Sequence, residues 1–266
     1  MKDPNVSVFL PEIFTYKHFF QERPNPDSFS AHSHNLYEIL YVLEGDASHI
    51  IEDKKYKLKS GDLIITRPQK HHRIQMDSSR NYNRHNILFD HKALGINVKL
   101  LPDGLDVVNV KPSSIIDGIF KKLDYYAENF SEDNFIDVAR LLVQEIIYNI
   151  ALVEKQDDGG LSVINPHLTK ALAYIKENLF TVKSIPEVAQ AVFVTESYLF
   201  RIFKKELFMS PKKYILEKRL LYAQNQLKKG KKPTTVATSC GFEDYTGFYR
   251  NYISFFGKPP SAEKTK

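Results

Sequence analysis

The sequence predicts an α+β protein, with an antiparallel β-barrel first, a pair of helices next and an all-helical domain at the end. Three observations lead to this fold class. Short β-rich segments separated by turn residues fill residues 29–89, helical periodicity begins near residue 113, and the charge differs between the two parts. With 266 residues, 42% of them hydrophobic, the chain can form two domains with buried cores.

The β-rich part begins the chain, and we predict that it occupies residues 1–110. The stretches "YEILYVLEGD" from Tyr37 and "DLIITRP" from Asp62 are rich in Ile, Leu, Val and Tyr, as strands are. A turn signal, Ser60-Gly61-Asp62, directly precedes the second stretch. Short strands at this spacing are typical of an antiparallel sandwich or barrel.

Two helices follow, and we assign them to residues 111–155. The first carries Ile116 and Leu123 on one face, whereas the second, which contains "IIYNIALV" from Ile146, is apolar on more than one side. A helix with two apolar sides must bury both of them. We predict that one side covers the β-domain and that the other packs on a second copy of the protein, which makes this segment a homodimer interface.

Residues 156–166 form the predicted linker, because the chain there passes through a charged and Gly-Gly stretch to an N-cap at Asn165 and a first-turn proline at Pro166. The domain that follows, residues 167–266, has 18 basic and 8 acidic residues, whereas residues 1–166 have 19 and 24. Such a basic domain is typical of nucleic-acid binding, although a solvated basic face without a partner has the same charge.

A short pattern occurs twice in this basic domain. "ESYLFRIFKKE" begins at Glu196 and "YTGFYRNYISF" begins at Tyr245, 49 positions later. Each stretch follows a short helix and a tight turn, and each is opened by an N-capping side chain, Thr195 or Asp244. Together these features predict two helix-turn-helix units, joined by a long helix that begins after Ser210.

The second helix of each unit has a core face and an exposed face. Leu199 with Phe203, and Phe248 with Tyr252, recur at i, i+4 and face the core. The predicted DNA-binding residues lie on the opposite faces: Ser197, Phe200, Arg201, Lys204, Tyr245, Thr246, Tyr249 and Arg250. An exposed arginine can bond guanine or phosphate with two parallel N–H groups. Burial of the two aromatic residues, or pairing of the arginines with internal carboxylates, is the alternative.

Residues 167–260 closely resemble the AraC-type DNA-binding domain. The resemblance lies in "IPEVAQAVFVTESYLFRIFKKELFMSPKKYI", in "KRLLYAQNQL" and in "VATSCGFEDYTGFYRNYISFFGKPP". It implies a bacterial transcription factor that binds double-stranded DNA and can have RNA polymerase as a partner. In this family pattern, bases are read by Ser197, Phe200 and Arg201 from the first unit and by Tyr245, Thr246, Tyr249 and Arg250 from the second. Lys204 then contacts phosphate.

Two positions depart from that pattern. Phe193 stands where the family has glycine in its first turn, so a positive φ there would cost about 1 kcal/mol. Gly247 replaces a bulky residue and weakens the last helix by about 1 kcal/mol relative to alanine. Cys240 takes the place of a small apolar residue, and we predict that it is part of the core.

The N-terminal part contains a further pattern. "HSHNLYEILYVLEG" and "GDLIITRPQKHH" resemble the two cupin motifs, and metal cupins bind one divalent ion through such histidines and glutamate. His32, His34 and Glu38 are evenly spaced, so on a strand they face the same side. With His72 they form the predicted effector site. We predict no cofactor and no metal here, and the alternative is a metal bound by these same four residues.

These patterns predict a sequence-specific DNA-binding transcription regulator, controlled by a small sugar-like effector in an N-terminal cupin or jelly-roll-like barrel. One alternative is a metal-dependent cupin enzyme with a basic helical appendage. Another is a non-specific nucleic-acid or protein-interaction module. We predict no catalytic residue. The single cysteine and the absence of a long apolar run predict a cytoplasmic protein without a membrane segment.

Overall fold

A computed structural model of the chain describes residues 5–25, 29–110, 114–153 and 161–263. The chain divides into two compact units. The first unit comprises Met1–His32, Leu36–Ile51 and Lys55–Ser162, and the second comprises Ser33–Asn35, Glu52–Lys54 and Val163–Lys266. Sheets are followed by helices, so the predicted α+β class is confirmed. Residues 156–160 of the predicted linker lie outside the described residues.

The strands of the described residues form two sheets. They are β1 (Val6–Leu10), β2 (Phe14–Gln21), β3 (Tyr37–Glu44), β4 (Ala47–Ile51), β5 (Lys54–Lys57), β6 (Asp62–Thr66), β7 (His72–Met76), β8 (Tyr82–Phe89), β9 (Val107–Asn109) and β10 (Leu161–Val163). A six-stranded sheet has the order β1-β2-β8-β3-β6-β9, and a four-stranded sheet has the order β10-β5-β4-β7. Among the strands described, no ladder closes these sheets into one barrel.

The register of β3 against β8 gives the larger sheet two different faces. Glu38 is opposite Leu88, and Leu40 is opposite Asn86. Because side chains alternate along a strand, cross-strand partners share a face, and these four residues face the four-stranded sheet. The core between the sheets contains Leu40, Val42, Ile51, Tyr56, Leu58, Ile64, Ile74 and Met76.

The other face of the larger sheet packs against two helices, α1 (Ser114–Asn129) and α2 (Glu132–Leu152). Its buried residues alternate with those of the first face and include Phe14, Tyr16, Ile39, Tyr41, Ile87 and Phe89. From the helices, Phe120, Phe135 and Ile146 fill the same core. Each such side chain contributes about 1.5–3 kcal/mol through burial.

Helix α2 has a buried side and an apolar exposed side. One side, with Phe135, Ala139, Leu142, Val143, Ile146, Ile147 and Ile150, is buried. Leu141, Tyr148 and Leu152 are exposed, the last of them by 81%. Helix α2 is therefore apolar on two sides, as predicted. Packing within one chain buries only one of them.

The second unit is helical. Its helices are α3 (Pro166–Glu177), α4 (Ile185–Ala191), α5 (Glu196–Leu207), α6 (Pro211–Lys228), α7 (Pro233–Ser239) and α8 (Tyr245–Phe256). The predicted caps are present, since Asn165 caps α3 and Ser210 caps α6. None of the helices in the part of the chain described here is long and apolar enough to cross a membrane.

Two separate cores support the two helix-turn-helix units. Helices α3, α4 and α5 pack around Leu172, Val188 and Phe203, whereas α7 and α8 pack around Val236 and Phe248. Helix α6 contributes to both cores, because its first half supplies Tyr214 and Ile215 and its second half supplies Leu220, Ala223 and Leu227. Helix α6 therefore joins the two helix-turn-helix units. Cys240 is fully buried in the second core, as predicted.

Candidate nucleic-acid interface and effector pocket

Helices α5 and α8 begin in the same way. The Thr195 hydroxyl accepts a hydrogen bond from the Tyr198 amide at 3.2 Å, and the Asp244 carboxylate accepts one from the Gly247 amide at 2.6 Å. Each cap satisfies a backbone donor that would otherwise lack a partner at the helix start, and such a cap contributes about 1 kcal/mol. Both predicted N-caps are confirmed.

The faces of these two helices are divided as the i, i+4 spacing predicts. Leu199, Phe203, Phe248 and Tyr252 have no exposed surface. All eight predicted DNA-binding residues are exposed: Ser197, Phe200, Arg201, Lys204, Tyr245, Thr246, Tyr249 and Arg250. The side chain of Phe200 is 48% exposed and that of Tyr249 is 38% exposed. The alternative in which these two aromatic residues belong to the core is therefore wrong.

The two arginines are also available to a partner. In the described part of the chain, no carboxylate forms an ion pair with Arg201 or Arg250. The Arg201 guanidinium lies over the Tyr198 ring at 5.2 Å, and the Lys204 ammonium lies 5.8 Å from the Phe200 ring centre. These contacts hold the cationic groups beside aromatic rings and leave their N–H donors for another acceptor.

Arg219, on α6, connects the two helix-turn-helix units. Its guanidinium donates hydrogen bonds to the backbone carbonyls of Leu179 at 2.8 Å, Val182 at 2.7 Å and Gly241 at 2.9 Å. The first two carbonyls precede α4, and the third lies in the turn before α8. Beside this arginine, a groove of about 1160 Å³ lies between the two helix-turn-helix units. The planar guanidinium of Arg219 thus bonds backbone carbonyls of both helix-turn-helix units.

The first unit contains a cavity of about 210 Å³. The six-stranded sheet contributes Glu38, Arg84, Asn86 and Leu88 to its walls, and the four-stranded sheet contributes His49, His72, Arg73 and Ile74. His32 also lines the cavity, because its backbone forms an antiparallel bridge with His72.

Two histidines in this cavity are held in the same orientation. The Nδ1 atoms of His32 and His72 lie 3.0 Å and 2.8 Å from the backbone carbonyls of Ser30 and Lys70. A carbonyl only accepts, so each Nδ1 carries a proton, which leaves Nε2 as the nitrogen that can bind a ligand. Nε2 of His72 lies 2.7 Å from a carboxylate oxygen of Glu38, and without a bound ion this contact requires a proton on one of the two atoms.

This donor set fits a divalent metal ion. His32, Glu38 and His72 each offer a ligand atom, and these atoms lie within 4.8 Å of one another. Metal-bound histidines usually donate the N–H of their other ring nitrogen to a backbone carbonyl or carboxylate, as the Nδ1 atoms of His32 and His72 do here. The fourth predicted residue, His34, lies in the segment Ser33–Asn35 that groups with the second unit. The candidate metal site of the first unit therefore consists of His32, Glu38 and His72.

Family models match both parts of the chain. The AraC-like ligand binding domain matches residues 19–123, and a helix-turn-helix domain matches residues 188–266. The chain belongs to the AraC family of transcription regulators. It is thus a DNA-binding regulator with a ligand-binding N-terminal domain, in a family that is not enzymatic. The alternative of a cupin enzyme is wrong.

Individual AraC-family relatives agree with this assignment. The HTH-type transcriptional activator RhaS of Mannheimia succiniciproducens is 23% identical over 240 residues, which cover 86% of each chain. The HTH-type transcriptional regulator ArgR of Pseudomonas aeruginosa is 29% identical over 155 residues. That match covers 54% of this chain and only 46% of ArgR, so the chain spans less than half of that relative's length.

Among solved structures, an AraC-type DNA-binding domain protein from Chromobacterium violaceum is 32% identical. The match covers 37% of this chain and 89% of the chain of that protein, with a TM-score of 0.36.

The polar pocket residues that were not predicted from sequence include His49, Arg84 and Asn86. Neither ring nitrogen of His49 has a hydrogen-bond partner among the described residues, and the same is true of Nε of Arg84 and Oδ1 of Asn86. Burial lowers the pKa of His49 to about 3, so its imidazole is neutral near pH 7. The available signal was alternation along β8, which places Arg84 and Asn86 on the same face as Leu88.

A second polar cluster lies on the opposite face of the same sheet. Tyr16 donates to Asp124 at 2.6 Å and lies 2.9 Å from Nδ1 of His85, and Nδ1 of His18 lies 2.9 Å from Asp124. Asn83 completes the network with a 3.0 Å contact to the other ring nitrogen of His18. Because Asp124 is on α1, this network attaches the helix to β2 and β8.

Proposed function

We propose that the chain is a sequence-specific transcription regulator whose α5 and α8 enter two successive major grooves of one DNA duplex. Adjacent major-groove faces are about 34 Å apart, and a rigid connection is needed to place two helices at such a separation. The exposed residues on α5 and α8, together with the bridging contacts of Arg219, carry this proposal.

Each exposed residue has a proposed role. Ser197, Phe200 and Arg201 read bases from α5, and Lys204 contacts phosphate there. Tyr245, Thr246, Tyr249 and Arg250 read bases from α8. The two arginines are the strongest readers, since a bidentate arginine–guanine pair discriminates by about 1–3 kcal/mol.

Selection of bound sequences from random duplex DNA tests this function. Arg201→Ala and Arg250→Ala should each relax the preference at particular base pairs, while the matched control Arg140→Ala, an exposed arginine of the first unit, leaves the selected sequence unchanged. A uniform loss of affinity for all sequences would instead support the non-specific nucleic-acid module.

We further propose that a small effector in the cavity controls DNA binding. Hydrogen-bonding groups for the effector come from the neutral His49 and from Arg84 and Asn86. The four residues predicted from sequence, His32, His34, Glu38 and His72, are proposed to bind it as well. An effector changes DNA affinity only if it binds one conformational state of the protein better than another. If a divalent metal occupies His32, Glu38 and His72, it supplies a Lewis-acid site for effector oxygens.

We propose a homodimer formed through residues 111–155. The support is the exposed apolar side of α2, with Leu141, Tyr148 and Leu152, because such a surface is costly to leave in water. Sedimentation velocity should give a dimer for the wild type and a monomer for Leu141→Glu with Tyr148→Glu. The control Arg140→Glu, on the same helix, should remain dimeric.

Other sequence predictions remain proposals of the same kind. They are the division into domains at 1–110, 111–155, 156–166 and 167–266, RNA polymerase as a partner, and action in the cytoplasm. The buried, unpaired Cys240 is consistent with a reducing compartment.

A further inference from the structure

The cavity of the first unit contains an arginine that lacks an anionic partner. Arg84 lies on β8, and its guanidinium carbon is 5.6 Å from the Phe19 ring centre, 5.3 Å from that of Phe29 and 5.6 Å from that of Tyr82. No carboxylate in the described part of the chain pairs with it, and its Nε is buried without a hydrogen-bond partner there. Aromatic rings attract the guanidinium but offer no strong hydrogen-bond acceptor, so its N–H donors are left for a ligand.

Register places Arg84 on the ligand side of the sheet. Arg84 is opposite Val42 on β3 and opposite Phe19 on β2, and Val42 belongs to the core between the two sheets. The guanidinium therefore shares the cavity wall with Asn86 and Leu88. Its planar fork matches a carboxylate, which can accept two parallel N–H bonds.

The rest of the lining favours hydroxyl groups on the same ligand. Oδ1 of Asn86 is a buried acceptor that requires a donor. His49 is only 1% exposed, neither of its ring nitrogens has a hydrogen-bond partner among the described residues, and an imidazole can offer one donor and one acceptor. A hydroxyl group can both donate and accept, so it suits both residues. At the other end, Glu38 and His72 form a polar pair that also suits hydroxyls.

The size of the cavity limits the ligand. Its volume of about 210 Å³ lies below the range of about 300–1,000 Å³ that drug-sized ligands occupy. A ligand with the dimensions of a monosaccharide or a short organic acid fits this volume, whereas a long acyl chain does not.

We propose that the effector is a small polyhydroxylated carboxylic acid, such as a sugar acid, whose carboxylate pairs with Arg84 and whose hydroxyls bond Asn86, His49 and the His32–Glu38–His72 cluster. The inference rests on the proposed regulatory function and assigns the ligand class for its pocket. Arg84 distinguishes the acid from the neutral sugar of the same size.

Calorimetry with two matched pairs of probes tests this proposal. Glucuronate and glucose share a ring and differ at one carbon, and gluconate and glucitol are the open-chain equivalents. The protein is dialysed against EDTA first, so that a metal ion cannot produce the preference for an acid. The full-length wild type should bind at least one of the two acids about 10- to 100-fold more tightly than its neutral partner.

Arg84→Gln should remove this preference while binding of the neutral sugar stays the same. Arg140→Gln, an exposed arginine of the same unit, is the matched control and should retain the preference. Equal binding of acid and sugar by the wild type, equal binding of the acid by Arg84→Gln, or no binding of any of the four probes would overturn the proposal.

A gel shift with selected DNA separates this test from that of the proposed function. Wild type and Arg84→Gln should both bind DNA without any probe, because Arg84 belongs to the first unit and α5 and α8 to the second. If neither protein binds DNA with or without a probe, the regulatory proposal fails, whatever the calorimetry gives. If both bind DNA and the acids show no preference, only the ligand class fails.

Discussion

Phe193 and Gly241 occupy equivalent positions in the turns of the two helix-turn-helix units. Both have a left-handed backbone, with φ of 58° and 77°. The amide of Phe193 donates to the carbonyl of Gln190 at 3.1 Å, and that of Gly241 donates to the carbonyl of Thr238 at 3.1 Å. The two turns therefore begin with the same geometry, and of the two possibilities left open for Phe193, a positive φ or a different turn, the structure has the positive φ. Only the second turn has the residue that this geometry favours.

Replacing Phe193 with glycine should stabilise the protein by about 1 kcal/mol. The phenylalanine side chain is 94% exposed, so its removal costs little packing, while the strain of a positive φ is relieved. Urea denaturation in the absence of DNA measures the change in the free energy of unfolding.

Two variants test the cause of that gain. Phe200→Gly removes an exposed phenylalanine from a helical backbone and should destabilise by about 1 kcal/mol. Gly241→Ala should destabilise as well, because a Cβ there would collide with the Phe180 carbonyl oxygen. A loss of stability in Phe193→Gly would show that the side chain contributes more than the strain costs.

Arg219→Lys should weaken the coupling between the two DNA-reading helices. Lysine keeps the charge but cannot bond the three carbonyls that the guanidinium fork reaches, so about 2–4 kcal/mol of stability should be lost.

The coupling itself is measured on operators with one base pair inserted between the two half-sites. The wild type should lose most of its affinity for such DNA, whereas Arg219→Lys should lose less than tenfold relative to its own binding of the unaltered operator. Arg140→Lys serves as the control. Equal sensitivity to the insertion in all three proteins would mean that Arg219 has only a structural role.

His85 should make the protein less stable as the pH falls below 6.5. Burial, and then the charge of His18, lower the pKa of His85 to about 3, although Asp124 opposes this effect. The unfolded state therefore takes up a proton between pH 6.5 and 3 that the folded state does not. His85 contributes to the free energy of unfolding a decrease of about 1.4 kcal/mol per pH unit in this window, and the buried His49 adds a similar decrease.

Denaturation of the wild type and His85→Gln at pH 7 and pH 5 checks this pH dependence. The groups facing the ring are Tyr16 and His18 on β2, Tyr41 on β3 and Asp124 on α1. Burial lowers the pKa of His18, but its hydrogen bond to Asp124 raises it above the ordinary value, so His18 opposes the trend. The variant should depend less on pH, and an identical dependence in the two proteins would contradict the assignment to His85.

A divalent metal should stabilise the protein if His32, Glu38 and His72 bind it. Thermal unfolding of EDTA-treated protein with added Zn²⁺ should show a higher Tm, with about 2.7 kcal/mol gained when free metal is 100-fold above its Kd. Glu38→Gln and His72→Ala should lose the shift, and His91→Ala, outside the cluster, should keep it. If elemental analysis finds no metal and Zn²⁺ leaves the Tm unchanged, the cluster acts through hydrogen bonds alone.

The sequence by itself determined the features that depend on near neighbours in the chain. The caps at Thr195 and Asp244 and the i, i+4 core pairs were predictable, because helix ends and helix faces follow from residues three or four positions apart. The same locality explains why the two helix-turn-helix units, the eight exposed residues and the family resemblance could be read without coordinates.

Only the tertiary structure decided which distant residues meet in the pocket and at Arg219. His49 and Asn86 come together because two sheets pack face to face, and nothing in the sequence states the register of strands so far apart. The partners of Arg219 are backbone carbonyls, which every residue has, so no motif could identify them. Contacts that require the closure of long loops are determined by the whole fold, and local sequence patterns do not encode them.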